Sequence, residues 1–413
     1  MVNVRTRLNS LVAGVPKESF AFIAASLLNA VGSAMLWPLI TIYVHNDMHR
    51  SYGAAGIVLL LQSGAGILGQ FLGGSLYHRI GPKRLIVSSL FLTAVAQLGL
   101  ILARAWIPYI CVMIANGFLV SITMPAVSAF VGFRWPQHRA RLYNLIYVSN
   151  NMGVAIGTSV AGVLAAISFN LTFLLDGLST AGFAVFFLIF FNRMNISQEQ
   201  RMEVGVPRQT SGMGPWPMLQ NYRVYLFLAV GSMLVIMSTS AWNTGVAPYL
   251  NSQGLSPAVY SFLWTVNGLV IVFGQPFTSL LNRFLTQSMY SRLFASAIFY
   301  TVGFSFMLAL HANYADLIVG MVVCTFGEML LSPSMPALIS QTTGRSAPFY
   351  LGLVGGMGSL GRLAGPPIYG VLFDNFGLRP ILVVSTIATL IGAVAFIIHR
   401  LLSKSAVAEA ASL

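Results

Sequence analysis

Residues 193–221 read RMNISQEQRMEVGVPRQTSGMGPWPMLQN, the one long polar stretch in a chain of 413 residues. Its mixture of Gly, Pro, Gln and charge is that of a linker. Outward from it in both directions the sequence turns apolar. Six apolar stretches precede it, near 19–44, 53–77, 85–103, 106–133, 142–166 and 169–192. Six more follow, near 222–250, 256–282, 290–310, 313–341, 348–373 and 379–399. Each has about the 20 residues that a helix needs to cross a hydrocarbon core. The expected fold is an all-α membrane protein of 12 transmembrane helices in two six-helix bundles, residues 1–192 and 222–413, joined by the linker.

Composition supports this division. Hydrophobic residues make up 56% of the chain and charged residues only 8%, against roughly 25% charged in a water-soluble domain. Most of the surface must therefore face lipid. The net charge of +13 does not indicate a nucleic-acid binder, because the cations lie between apolar runs and form no patch on a soluble fold. They report topology instead, since Lys and Arg favour cytoplasmic loops. With the N-terminus inside, 18 of the 22 fall in cytoplasmic segments, three (Arg50, Arg104 and Arg379) fall outside, and Arg362 lies within a span. Both termini are thus expected in the cytoplasm. The first apolar stretch is too long for a signal-peptide core and lacks a clear cleavage site, so it reads as the first span. Cys111 and Cys324 sit in apolar segments and form neither a disulfide framework nor a metal-ligand cluster.

The two halves repeat each other weakly. Ala30-Val31-Gly32-Ser33 returns as Ala229-Val230-Gly231-Ser232, and Met124-Pro125-Ala126-Val127 as Met335-Pro336-Ala337-Leu338. Ser75-Leu76 with Arg79 returns as Ser279-Leu280 with Arg283, and Gly153-x-x-x-Gly157 with Gly162 as Gly361-x-x-x-Gly365 with Gly370. The matches keep span order at offsets of 199 to 211, the pattern of a parallel duplication.

The loop after the second span reads Gly74-Ser75-Leu76-Tyr77-His78-Arg79-Ile80-Gly81-Pro82-Lys83-Arg84. It resembles the signature loop of the major facilitator superfamily, G-x-L-a-D-R-x-G-R-K, at Gly74, Leu76, Arg79, Gly81 and Lys83. His78 stands where the family has aspartate. The resemblance implies two bundles that this loop latches together on the cytoplasmic side when the transporter opens outward. A second stretch, Gly153-x-x-x-Gly157-Thr158-x-x-Ala161-Gly162, resembles the G-x-x-x-G-P-x-x-G-G motif of the superfamily's proton-driven drug exporters. Thr158 replaces its proline, the eleventh span keeps the dipeptide as Gly365-Pro366, and Met113 stands where that branch places an arginine in its fourth span. Small residues four apart let helices pack backbone to backbone.

A charge at the bilayer centre costs roughly 2.5 to 3.5 kcal/mol on insertion scales, which singles out Glu328, Arg362 and Asp176. Glu328 resembles the glutamate of a G-E-x-x-x-x-P stretch in the tenth span of multidrug members, where it serves cation binding and proton coupling. A carboxyl group favours its neutral form where it is dry and ionises where water or a cation reaches it, so it can couple the two. The competing reading is a static Glu328–Arg362 ion pair, since both lie at similar depth on consecutive spans. Asp176 sits nearer the outer end of the sixth span. On the first span, Ser26, Asn29, Ser33, Trp37 and Thr41 form one polar stripe, which in lipid must face protein or water. The fifth span offers Tyr143, Tyr147, Asn150 and Asn151. The family places the first, fourth, seventh and tenth spans around a central cavity, so Asn29, Ser33, Trp37, Asn116, Trp242 and Glu328 are its expected lining, with Asn267 beside them on the eighth span.

The expected function is secondary active transport: proton-coupled efflux of a small amphipathic, drug-like compound by alternating access. The alternative is a symporter or uniporter for a metabolite on the same fold, followed by a non-transporting membrane sensor. An enzyme, a cofactor and a nucleic-acid partner are not expected, and no G-x-x-x-x-G-K-[ST] nucleotide loop is present. The expected setting is a bacterial cell membrane, with the chain acting as a monomer.

Overall fold

The computed structural model describes residues 16–36, 40–193, 224–255, 257–310 and 313–411. Nearly all of the 193–221 linker, and Trp37, lie outside the described residues. Those described form helices and no strand: α1 Lys17–Leu36, α2 Ile40–Asn46, α3 Tyr52–Ile80, α4 Pro82–Gly99, α5 Trp106–Arg134, α6 Arg139–Ile167 and α7 Phe169–Arg193, then α8 Val224–Ser252, α9 Pro257–Phe273, α10 Gln275–Phe284, α11 Met289–Ala309, α12 Tyr314–Thr342, α13 Ala347–Phe376 and α14 Leu378–Ala411. Helices answer the constraint of lipid, where each backbone N–H and C=O must be paired within its own segment.

Eight of these helices (α1, α3, α5, α7, α8, α11, α12 and α14) are long and apolar enough to cross a membrane. The pair α9 and α10 makes a ninth if read as one span bent by 56°. Helices α4, α6 and α13 also coincide with expected spans, but Lys83, Arg84, Arg139 and Arg141 at their starts, and the glycines around Arg362, make them less apolar. The expected eighth span is therefore two helices, which meet at Gly274 with Pro276 in the first turn of α10. α8 is interrupted by a π-helical turn at Trp242–Val246, a distortion that re-aims side chains in the middle of a helix.

Turn chemistry sets the register at the loop after α3. Gly81, at φ 88°, ends α3 and is followed by Pro82 at the start of α4, a conformation that costs glycine little. His78 and Arg79 fall in the last turn of α3, where the helix dipole favours cations.

Small residues decide which helices touch. Gly153 and Gly157 of α6 lie on the backbone of α1 at Leu27 and Val31, while Gly361 and Gly365 of α13 lie on α8 at Met233 and Met237. The contact of α6 with α1 is thus repeated by α13 with α8, as the internal repeat requires. Gly162 lies on α6 and Pro366 on α13, where Pro366 is exposed. Gly157→Leu should therefore damage folding itself: a side chain there would meet the Val31 carbonyl and Ala34. Overpacking of this kind costs about 1 to 3 kcal/mol. A thermal-melting assay in detergent is expected to show a lower midpoint and reduced yield.

Candidate functional site

The first group of helices, α1–α7, meets the second, α8–α14, along two seams at the end of the molecule that carries the 78–84 and 135–139 loops. On one seam α3 packs against α13. Gly74 rests on the backbone of Pro348 and Phe349, and Gly352 on the carbonyl of Gln70. Gln70 Nε2 donates to Ser359 Oγ at 2.7 Å, and Arg362 Nη2 donates to the same oxygen at 3.2 Å. The His78 ring donates from Nε2 to the Arg345 carbonyl. The residue that replaces the family's aspartate therefore spans the seam as a hydrogen-bond donor. Arg79 is exposed, and Lys83 Nζ donates to Asn192 Oδ1 at 2.8 Å, within the first group.

On the other seam α6 packs against α9, α10 and α12. Arg139 donates to the Ser340 carbonyl, and the Tyr143 hydroxyl donates to the Ser128 carbonyl at 2.6 Å beside Ser340 Oγ at 2.9 Å. Asn144 Nδ2 donates to Gln275 Oε1 at 3.0 Å. Deeper along the same seam lies Glu328, halfway along α12. Asn267 Nδ2 of α9 donates to Glu328 Oε2 at 3.1 Å and to Thr325 Oγ1 at 3.0 Å. The Tyr147 hydroxyl of α6, buried and without a hydrogen-bond partner among the described residues, faces the same carboxyl from the first group of helices. The carboxyl thus accepts from Asn267 of its own group and has an unspent hydroxyl of the other group beside it.

Arg362 does not neutralise it. Among the described residues the one ion pair is Arg134–Glu18, and Arg362 is engaged with Ser359 on the opposite seam. The Arg362 side chain remains exposed on this seam. The static Glu328–Arg362 pair is absent from this conformation.

The remaining expected site residues sort elsewhere. Asn29 Oδ1 accepts from Thr180 Oγ1 at 3.2 Å, and Ser33 lies near Asp176, so α1 turns both toward α7. Asp176 is 2% exposed, with its Oδ1 unpartnered. Asn116 is buried on α5, and its Oδ1 likewise has no partner. Trp242 is buried on the π turn of α8 against Phe304 of α11. Sequence reading left Gln70, Ser359 and Ser340 unmarked. Gln70 carries a usable signal, a large amide in a Gly-rich span, since a polar side chain in lipid needs a partner on another helix.

The Gln70–Ser359 bond gives a direct prediction. Gln70→Leu removes one interhelical hydrogen bond, worth about 0.6 kcal/mol in a membrane protein. That is about a threefold shift toward forms in which α3 and α13 part, read as a longer interspin distance between labels on these two helices.

A family model described as "Major Facilitator Superfamily" matches residues 22–366 and 228–411. An uncharacterized MFS-type transporter of Bacillus subtilis (strain 168), YttB, is 33% identical over 395 residues, 95% of this chain and 97% of that one. The quinolone resistance protein NorA of Staphylococcus aureus is 22% identical over 368 residues, 87% of this chain and 90% of that one. In three dimensions the chain is similar to the human organic anion transporter MFSD10 (TETRAN), with a TM-score of 0.71 at 13% identity over 93% of this chain and 100% of that one. The glycine-seated helices, the latch-like loop after α3 and matches along nearly its whole length agree: this chain is a membrane transporter of the Major Facilitator Superfamily.

Proposed function

We propose that the protein exports small amphipathic compounds in exchange for protons, by alternating access between residues 1–192 and 222–413. In this reading twelve spans form two six-helix bundles, α1 with α2 and α9 with α10 each count as one span, and both termini and the 193–221 linker lie in the cytoplasm of a bacterial cell. The observation that carries it is the setting of Glu328. The side chain is half-buried at mid-depth, has no cationic partner among the described residues, accepts from Asn267 of its own bundle and is faced by the unpartnered Tyr147 hydroxyl of the other.

Alternation then acts on the carboxyl directly. In this reading the two seams close the cytoplasmic end. Parting of α6 from α12 withdraws Tyr147 and lets water or a substrate cation reach Glu328, which favours the ionised form. Closure excludes water and favours the proton-bound form. Exchange of a proton for a substrate at one site needs no further ion. The relative NorA is named for resistance to a drug class, which supports export over uptake.

Asp176 and Arg362 belong to this reading in secondary roles. Arg362 keeps a positive charge on the α3 seam, and Asp176 is buried on α7 beside α1. Asp176→Asn should therefore leave proton-driven transport within about twofold of the parent, because an amide of the same size fills the same buried space. Dye extrusion by inverted vesicles under an imposed proton gradient is the test of the whole reading. Accumulation that collapses with the gradient supports it, and accumulation indifferent to the gradient contradicts it.

A further inference from the structure

A small cleft opens between α6, α10, α11 and α12, at the end of the molecule with the basic loops. Its wall is polar and carries one charge: Asn144 from α6, Gln275, Ser279 and Asn282 from α10, Arg292 from α11 and Ser334 from α12, with no carboxylate among the lining residues. Arg292 spends its Nε–H on the Thr286 carbonyl at 3.0 Å and forms no ion pair among the described residues. The rest of the guanidinium is thereby held in place with donors to spare. Asn282 uses its oxygen to accept from Thr286 Oγ1 at 2.9 Å, which leaves its amide N–H groups as further donors.

The helix that forms the wall also fixes the surroundings. Gln275, Thr278, Ser279 and Asn282 follow the i, i+3, i+4, i+7 spacing of one helical face, and all four line the cleft. The other side of α10 presents Phe277, Leu280 and Phe284, 45%, 56% and 63% exposed. An amphipathic helix bent by 56° from the span before it, apolar outside and polar inside, occupies the depth where acyl chains give way to headgroups.

We propose that this cleft binds the phosphodiester of an anionic phospholipid, held by Arg292, Asn282 and Ser279 together with Asn144, with its acyl chains along the apolar face of α10. Asn144 comes from the first group of helices and the other donors from the second, so the bound headgroup bridges the seam. Occupancy favours the conformation in which α6 lies against α10. Glu328 is not among the residues that line the cleft, although Met329 and Leu330 are, and the lipid's action does not depend on the transported compound.

The test uses the full chain in nanodiscs of phosphatidylcholine, with and without phosphatidylglycerol. Bound lipid is counted by native mass spectrometry, and the distance between spin labels on α6 and α10 is measured. Wild type is expected to retain phosphatidylglycerol and to shorten the distance when it is present. One basic group near the membrane surface corresponds to about a fivefold change in binding. Arg292→Gln should therefore lower retention about fivefold and abolish the shortening, Arg292→Lys should keep most of both, and Arg283→Gln, on the exposed end of α10, should change neither. Equal retention and the same shortening in Arg292→Gln would overturn the proposal. So would a wild type that ignores phosphatidylglycerol, and inorganic phosphate that reproduces the shortening in pure phosphatidylcholine would reassign the cleft to a soluble anion.

Discussion

Glu328→Gln is expected to abolish proton-driven extrusion while leaving the protein folded. The amide keeps the size of the side chain and can still accept from Asn267, whose contacts to Glu328 and Thr325 hold α9 to α12. It can neither ionise toward a cation nor carry a proton. A charge at the centre of a span costs roughly 2.5 to 3.5 kcal/mol on insertion scales, so its removal should leave the thermal midpoint unchanged or raised. Gradient-driven dye accumulation should fall at least about tenfold, to the level of vesicles without transporter, a loss of roughly 1.4 kcal/mol or more in effective driving. A fall in accumulation together with a fall in melting temperature would indicate damage to the fold.

The second large effect comes from Gly74, and it is conformational. A side chain at this position would collide with the Pro348 carbonyl and crowd Phe349, both on α13 across the seam. Gly74→Leu should thus leave the packing within α1–α7 intact but exclude the form in which α3 and α13 touch. With a cost near the upper end of about 1 to 3 kcal/mol for overpacking, the equilibrium shifts by up to roughly 100-fold toward opening of this seam. Cysteines placed on α3 and α13 near Gln70 and Ser359 should become more reactive to a water-soluble reagent, and transport should fall about in proportion to the lost form with this seam closed. The contrast with Gly157→Leu is diagnostic. Gly157 sits on α1 within its own group, so its replacement should lower stability without biasing the two seams.

The seams explain which parts of this site could be read in advance. Hydropathy located the helices, because lipid imposes one requirement on every span. The repeated glycines of 153–157 and 361–365 foretold close helix packing, and both pairs lie on the backbone of an equivalent neighbour. Depth along a helix was legible as well: Glu328 and Arg362 do lie midway along α12 and α13. Azimuth was not. Equal depth made an ion pair between them conceivable, yet one side chain turns to the α6 seam and the other to the α3 seam. The polar stripe of α1 shows the same limit. Its residues had to face protein, and Asn29 and Ser33 face α7, because polarity states a need for a partner without naming which helix supplies it.

Two further features lay beyond a reading by pattern. The break at Gly274 leaves a continuous apolar stretch in the sequence, and only the adjacent Gln275-Pro276 marks it. His78 replaces a carboxylate by a ring donor, and the use it finds, the Arg345 carbonyl, depends on a loop 267 residues away.

The account rests on a carboxyl at mid-depth that trades its proton for a substrate. The most direct measurement is the number of protons released when the purified protein, in weakly buffered detergent solution, binds a cationic dye that it extrudes. The expected result is release from wild type and none from Glu328→Gln, even at dye concentrations that saturate the variant. Equal release from both proteins would contradict the assignment of Glu328 as the coupling group.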